Sequence, residues 1–248
     1  MNFTRRFLQL FGYDILKISK YHPSLETHLK TVLHTLDVGV VIDVGANNGG
    51  YGRTLRQLGF KGRIVSFEPV KNCFDDLTRI SAHDPDWHCH NFALGAEKKQ
   101  MTIHVPSSSD FASFLTVSDK ARQIWNDDFS KVVSQEVQIQ RLDEVFQDLI
   151  LPLKKEKSIF LKMDTQGFDL EVIKGGQGIL DQITGLQSEL SVFPIYDQMP
   201  DYITAFSLFK ECGFEVSGIY PVSRDRETLT VVEFDCVMLR PQKAGAGK

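Results

Sequence analysis

A doubly wound α/β fold, a mostly parallel sheet with helices on both faces, is predicted by three features of the 248-residue sequence. Short β-branched runs alternate with helical patterns through most of the chain. The first run, "GVVIDVG", breaks into the glycine-rich turn "GANNGGYG" and not into a hairpin. Two long strand-like runs at the end flank the polar turn "SRDRET", which adds an antiparallel hairpin.

The elements follow in order. "GVVIDVG" has the near-continuous apolar character of a strand covered on both faces. A helix is expected from residue 50 to about 58, closed by Gly59. "RIVSFEP" is a second strand stopped by Pro69, "CFDDLTRIS" a helix, and "WHCHNFALG" a third strand running into a turn. Between residues 97 and 157 the period changes: "QMTIHV" and "SQEVQIQRL" alternate around the loop "PSSSDFASF", as half-exposed antiparallel strands do. This stretch is a β-rich insertion in the parallel series. The series resumes with "SIFLKMD", a helix over 169–175 and a fifth strand over 185–192. Pro200 opens the next helix and "CGF" ends it. The expected organisation is a helical segment over 1–36, one domain over 37–241 and a disordered tail over 242–248.

With 42% apolar and 24% charged residues, the composition is that of a globular domain. A chain of this length buries roughly three quarters of its unfolded surface, so core is not limiting. A net charge of −4 supplies no basic field, and nucleic acid is not an expected partner. Cys73, Cys89, Cys212 and Cys236 lack C-x-x-C spacing and predict free thiols. No apolar run reaches the ~20 residues of a membrane span and no signal-peptide pattern is visible, so a cytoplasmic protein is expected. In "NFTRRFLQLFGYDILKISK", Phe3, Phe7, Phe11 and Ile15 recur every fourth residue among Arg5, Arg6, Lys17 and Lys20. Such a helix suits the domain's own surface, a second subunit of a homo-oligomer, or a membrane surface.

In open α/β sheets, ligands bind beyond the carboxyl ends of the strands. A dinucleotide fingerprint would place its second glycine where Asn47 stands in Gly45-Ala46-Asn47-Asn48-Gly49-Gly50. Asp43, two residues before Gly45, would repel a pyrophosphate. A cation-bearing guest fits better. S-adenosylmethionine carries a sulfonium and an ammonium and has no phosphate, and amides near Gly49 and Gly50 suit its carboxylate. Glu68 ends the second strand about 25 residues after Asp43, near the ~20-residue spacing at which an acid takes ribose hydroxyls. Asp164 ends the fourth strand, and Thr165, Gln166 and Gly167 turn into the next helix. Asp169 has the simpler role of an acid at a helix start. Glu189 ends the fifth strand, so acids gather on one sheet edge.

"IDVGANNGGY", "FEP", "FALG", "RLDEV" and "LKMDTQGFDLEVIKGG", in this order and spacing from about residue 40 to 190, resemble the FkbM family of S-adenosylmethionine-dependent methyltransferases. The family often shows Glu-Gly where this sequence has Gln166-Gly167. The resemblance implies a class I methyltransferase (Rossmann-like) sheet with an antiparallel C-terminal strand. It also implies O-methylation of hydroxyls on sugars or natural products. The cofactor-binding set expected is Asp43, Gly45, Ala46, Asn47, Gly49 and Tyr51 from the first loop, with Glu68 and Pro69. Asn91, Ala93, Asp164 and Gln166 complete it.

Methyl transfer is an in-line displacement, and a sugar hydroxyl needs a base to accept its proton. Asp164 and Glu189 are both candidates, and the sequence does not separate them. His88, His90 and His104 are alternatives, although all three lie in strands. A metal at Asp164, Asp169 and Glu189 is not expected, because "SELSV" replaces the Asp-Asn pair that metal-using O-methyltransferases usually show. "SSSDFASFLT" is placed to cover the cofactor or meet the acceptor, and Tyr196, Asp197 and Gln198 offer hydrogen bonds to a carbohydrate. The expectation is an O-methyltransferase for a sugar hydroxyl of a glycan or glycosylated precursor, in polysaccharide biosynthesis. A nicotinamide oxidoreductase is the alternative, weakened by Asp43, Asn47 and the lack of a Tyr-x-x-x-Lys pair. Gln166 keeps open a non-catalytic S-adenosylmethionine-binding module.

Overall fold

The computed structural model of the chain describes residues 7, 10, 11, 24–106, 109–124, 131–153 and 157–241. The amphipathic helix expected over residues 1–20 lies outside them apart from Phe7, Leu10 and Phe11, which are exposed. The expected tail over 242–248 also lies outside the described residues.

Along the chain run α1 (Leu25–Thr35), β1 (Val38–Val44), α2 (Gly50–Gln57), β2 (Arg63–Phe67), α3 (Lys71–Ser81), β3 (Trp87–His90), β4 (Ala93–Leu94) and β5 (Lys99–Val105). Then come α4 (Asp119–Ile124), β6 (Val133–Gln140), α5 (Leu142–Val145), β7 (Ser158–Met163) and α6 (Asp169–Gly175). The chain closes with β8 (Ile183–Ser191), α7 (Tyr202–Glu211), β9 (Glu215–Arg224) and β10 (Val231–Leu239). Seven strands form one sheet in the order β3-β2-β1-β7-β8-β10-β9. Only β10 runs antiparallel, to β8 on one side and β9 on the other. The order reverses between β1 and β7, where an open α/β sheet opens its ligand crevice.

The pleat of β1 divides the core. Val40, Ile42 and Val44 pack with Phe67, Leu161 and Met163 on one face of the sheet. Val41 packs with Leu29, Leu55 and Phe160 on the other. This period-2 alternation assigns every neighbouring strand residue to a face. Helix α1 starts at a capping box: Ser24 accepts from the Thr27 N–H while Thr27 answers the Ser24 N–H. Gly59, at φ +89°, lets the chain leave α2.

Two expected elements differ. "WHCHNFALG" is not one strand: β3 ends at His90, and β4 belongs to a second sheet of order β4-β6-β5. The Asn91 amide donates to the Glu68 and Pro69 carbonyls at 2.8 and 3.1 Å, so it closes β3 onto the turn after β2 before the chain leaves. Pro200 does not open α7. Asp201 caps it, accepting from the Thr204 N–H at 2.8 Å, because a carboxylate satisfies an orphan amide that proline would leave bare.

β5 and β6 pair antiparallel from Lys99↔Ile139 to Val105↔Val133. The inserted segment after β5 is stitched to the chain after β8. Ser118 N–H donates to Ile195 O, Asp197 N–H to Thr116 O, and Val117 bridges Tyr196. Among the described residues, no helix is long and apolar enough to cross a membrane. Among the described residues, no disulfide involves Cys73, Cys89, Cys212 or Cys236.

Candidate active site

A cavity of about 280 Å³ opens at the carboxyl ends of β1, β2, β7 and β8, close to the ~300 Å³ lower end of small-molecule sites. Gly45 forms its floor at φ +75°. A Cβ there would lie 2.0 Å from the Asp164 carbonyl oxygen, so the two strand ends approach as closely as they do only with glycine. The Gly45 and Ala46 amides both donate to Phe67 O, fixing the loop to β2.

Glu68 is 5% exposed, with Oε2 accepting the Asn47 N–H at 2.7 Å and Oε1 accepting the Val70 N–H at 2.8 Å. It therefore ties the first loop to the turn after β2. Burial raises its carboxyl to about 7, against the lowering effect of those two amides. Between the unfolded value of about 4.3 and 7, the folded protein carries a proton here that the unfolded chain has lost. Stability therefore falls as pH rises through that window. Urea unfolding at pH 5 and pH 7 should show a smaller drop for Glu68→Gln than for wild type; equal drops would contradict the assignment.

Asp43 requires a correction. It is fully buried and is not among the residues lining the cavity. The reason is the pleat: Val44 lines the cavity, whereas Asp43 points the other way. Beneath α2 it accepts from the Ser66 hydroxyl at 3.0 Å and pairs with Lys162 Nζ at 3.4 Å. Lys162 donates also to Gly45 O at 3.3 Å, pairs with Asp164 at 3.6 Å and lies 5.2 Å from the Tyr51 ring centroid. Burial alone would lower the Lys162 ammonium, but the charges of Asp164 and Asp43 outweigh it and raise it. Asp43 is raised by burial despite Lys162. The opposite demands resolve in favour of a charged Lys162, because three acceptors surround its Nζ. The polar row continues: Tyr51 donates to Gln187 Oε1 at 3.0 Å, and Gln187 donates to Asp235 at 2.8 Å.

Of the expected cofactor set, Gly45, Asn47, Glu68, Pro69 and Ala93 line the cavity, as do Asp164 and Gln166. Asp43, Ala46, Gly49, Tyr51 and Asn91 do not; they brace the walls. Gly49 is the left-handed residue before α2, a role its φ of +82° requires. Glu189 lines the cavity beside Asp164, whereas His88, His90 and His104 are absent from its walls. Tyr196 is also corrected: it is buried and bonded to Gln166, so it cannot greet a carbohydrate. Asp197 and Gln198 are exposed and do not line the cavity. Asp169 serves α6, accepting from the Thr165 N–H and the Ser188 hydroxyl. Among the described residues, no group of three His, Cys, Asp or Glu side chains is disposed to hold a metal. The residues not anticipated are Lys162, which braces the site from beneath, and the apolar walls Cys73 and Ile103; Phe114 comes from the loop expected to cover the cofactor. Lys162 was visible as a charge inside "IFLKMD", an apolar strand with nowhere to solvate it.

Gln166 sits at φ +51° between the two acids. Its Nε2 donates to Asp164 Oδ1 at 3.0 Å and Glu189 Oε2 at 3.1 Å, and its Oε1 accepts from the Tyr196 hydroxyl at 2.6 Å. Burial raises the Glu189 carboxyl well above the usual carboxylate range. Asp164, Glu233 and Asp235 raise it further, and Lys162 opposes.

The family model for the methyltransferase FkbM domain matches residues 43–216, which contain this entire cavity. The chain belongs to the FkbM methyltransferase family. The curated methyltransferase sdnD of Sordaria araneosa is 23% identical over 188 residues, covering 67% of this chain and 73% of that protein. A solved rRNA methylase of Streptococcus thermophilus is similar with a TM-score of 0.47 and 11% identity, covering 87% of this chain and 96% of its own. Aeropyrum pernix fibrillarin with natively bound S-adenosyl-L-methionine gives 0.46 and 9%, covering 86% and 74%. At those scores the fold of this FkbM chain rests on its own strand order. The nicotinamide alternative falls with the family match.

An FkbM methyltransferase implies S-adenosylmethionine as methyl donor, and the residues present fit it. Gly45 leaves a cradle that a Cβ would fill, and Glu68, Asp164 and Glu189 form an acidic lining suited to a cation-bearing ligand. Gly45→Ala is expected to cost about 1–2 kcal/mol for its left-handed backbone alone. Its clash with Asp164 O must also move the loop, so titration calorimetry should show binding of S-adenosylhomocysteine lost or weakened at least tenfold. Unchanged affinity would place the cofactor elsewhere.

Proposed function

We propose that the chain is an O-methyltransferase acting on a sugar hydroxyl of a glycan or glycosylated precursor, with Glu189 as the base. The carrying observation is an asymmetry between the two acids. Asp164 has one oxygen on the Gln166 amide and the other on Lys162. Glu189 has Oε2 on the amide, while Oε1 has no hydrogen-bond partner among the described residues. A desolvated carboxylate flanked by like charges is the stronger proton acceptor.

S-adenosylmethionine, when bound, supplies a methyl group activated by its sulfonium. Asn47 and Glu68 would hold the adenosine, and Gly45 would permit its close approach. The Ile103 and Phe114 walls exclude water. Glu189 Oε1 would take the proton of the acceptor hydroxyl; the chemistry the cofactor would supply is a methyl group whose carbon–sulfur bond breaks, with S-adenosylhomocysteine leaving with the electron pair. A neutral hydroxyl suits these surroundings: an acceptor already ionised at its reacting group would be repelled by Asp164, Glu233 and Asp235. The choice of a sugar rests on the family resemblance.

Methyl-tritiated S-adenosylmethionine offered with mono- and oligosaccharide acceptors tests the reading. Alkali-stable label in a sugar methyl ether, located by linkage analysis, is the expected result. Label on nitrogen would overturn it. Tight binding of the cofactor with no transfer to any hydroxyl would favour the non-catalytic module.

A further inference from the structure

The insertion and the segment after β8 meet at Tyr196, and this contact reaches the site. Tyr196 is 0% exposed, packed with Val117, Ala121, Ile195 and Val232. Among the described residues its hydroxyl has one hydrogen-bond partner, Gln166 Oε1. We propose that Tyr196 is a positioning residue that acts on Glu189 through Gln166, holding the side-chain amide with its N–H bonds directed at both acids. This deepens the proposed function, since it rests on Glu189 as the base.

A primary amide has two ends of nearly equal size. With Glu189 ionised, as a base has to be, a turned-over Gln166 would put its carbonyl oxygen against Asp164 Oδ1 and Glu189 Oε2, three acceptors with no proton between them. Tyr196 excludes that state, because its proton has to find an acceptor and Oε1 is the acceptor in reach. Burial raises the Tyr196 phenol, so that proton stays. The backbone is fixed independently: the Ser113 hydroxyl donates to Gln166 O at 2.7 Å, and Gly167 continues the left-handed turn at φ +93°. The amide is thus pinned at both ends, and Glu189 is left with Oε1 for the acceptor. The groups facing Glu189 are Lys162 and Asp164 from the end of β7, Gln166 and Tyr196 from the two turns, and Glu233 and Asp235 from β10. A glutamate at 166 would bring a fourth carboxyl among them; glutamine brings donors. This gives a physical reason for the departure from the family's Glu-Gly pair.

The test uses neither cofactor nor acceptor. The protein is labelled with [δ-13C]glutamate, and the Glu189 resonance is assigned by its loss in Glu189→Gln. A donated hydrogen bond favours the ionised carboxylate, so freeing the amide makes Glu189 hold its proton more tightly. Tyr196→Phe keeps the ring and should move the Glu189 titration midpoint up by about one pH unit, a tenfold change in proton affinity. Gln166→Leu should move it at least as far, and the double variant no farther than Gln166→Leu. A midpoint unmoved in Tyr196→Phe overturns the positioning role. Should that variant fail to fold, an unmoved midpoint in Gln166→Leu overturns it equally. Either failure leaves the methyl-transfer reading standing, because that reading is scored by tritium.

Discussion

Lys162→Met is expected to destabilise the protein by about 3–5 kcal/mol near neutral pH, the range for breaking a buried ion pair by removing one partner. The substitution keeps most of the side chain's volume, so the loss isolates charge from packing. Asp43 would then be fully buried with the Ser66 hydroxyl as its hydrogen-bond donor, and that hydroxyl itself accepts from the Trp87 indole N–H at 3.0 Å. A single neutral donor does not offset a buried carboxylate. Asp43 would answer by keeping its proton in the folded state. The unfolded chain loses that proton above about pH 4, so the variant's deficit should grow as pH rises. Urea unfolding at pH 5 and pH 7 measures this, and Lys162→Met/Asp43→Asn should recover most of the loss. A deficit that is equal at both pH values, or is not relieved by the second substitution, would show that Lys162 matters by packing instead. Because Lys162 also holds Gly45 O, the variant should loosen cofactor binding as well.

Glu189→Gln is expected to lower kcat by about 10²–10⁴-fold, the usual contribution of a positioned base. Affinity for S-adenosylhomocysteine should change little, since the amide keeps the shape of the side chain. Stability should hold or rise: the wild-type carboxyl is raised by burial and by three neighbouring acids, and the amide removes that repulsion. The combination of lost turnover, kept binding and kept Tm is what separates a base from a structural residue. Asp164→Asn gives the contrast. It leaves Lys162 short of an anionic partner and should act on stability and binding more than on the pH profile of turnover. If Asp164→Asn abolished turnover while Glu189→Gln did not, the roles assigned to the two acids would be reversed.

The sequence by itself determined the element order and the collection of acids at one edge. In a parallel series every strand ends on the same side of the sheet, so "DVG", "FEP", "KMD" and "SEL" place their acids together once the strands are recognised. It also showed that Gly45 and Gly49 sit in turns, as their positive φ values require. The tertiary structure alone decided which acid faces the cavity. A strand has two faces, and the pattern of β1 is apolar on both, so nothing local says which way Asp43 points. The register of β1 with β7 set Asp43 opposite Lys162, a residue more than a hundred positions away in the chain. The same is true of Gln166 and Tyr196. Their hydrogen bond exists because the insertion and the turn after β8 are sewn together, and chain separation hides such a contact from any local pattern. Local chemistry settles where a strand begins and ends. The burial of one charge against another is settled by which strands lie side by side, and that requires the folded sheet.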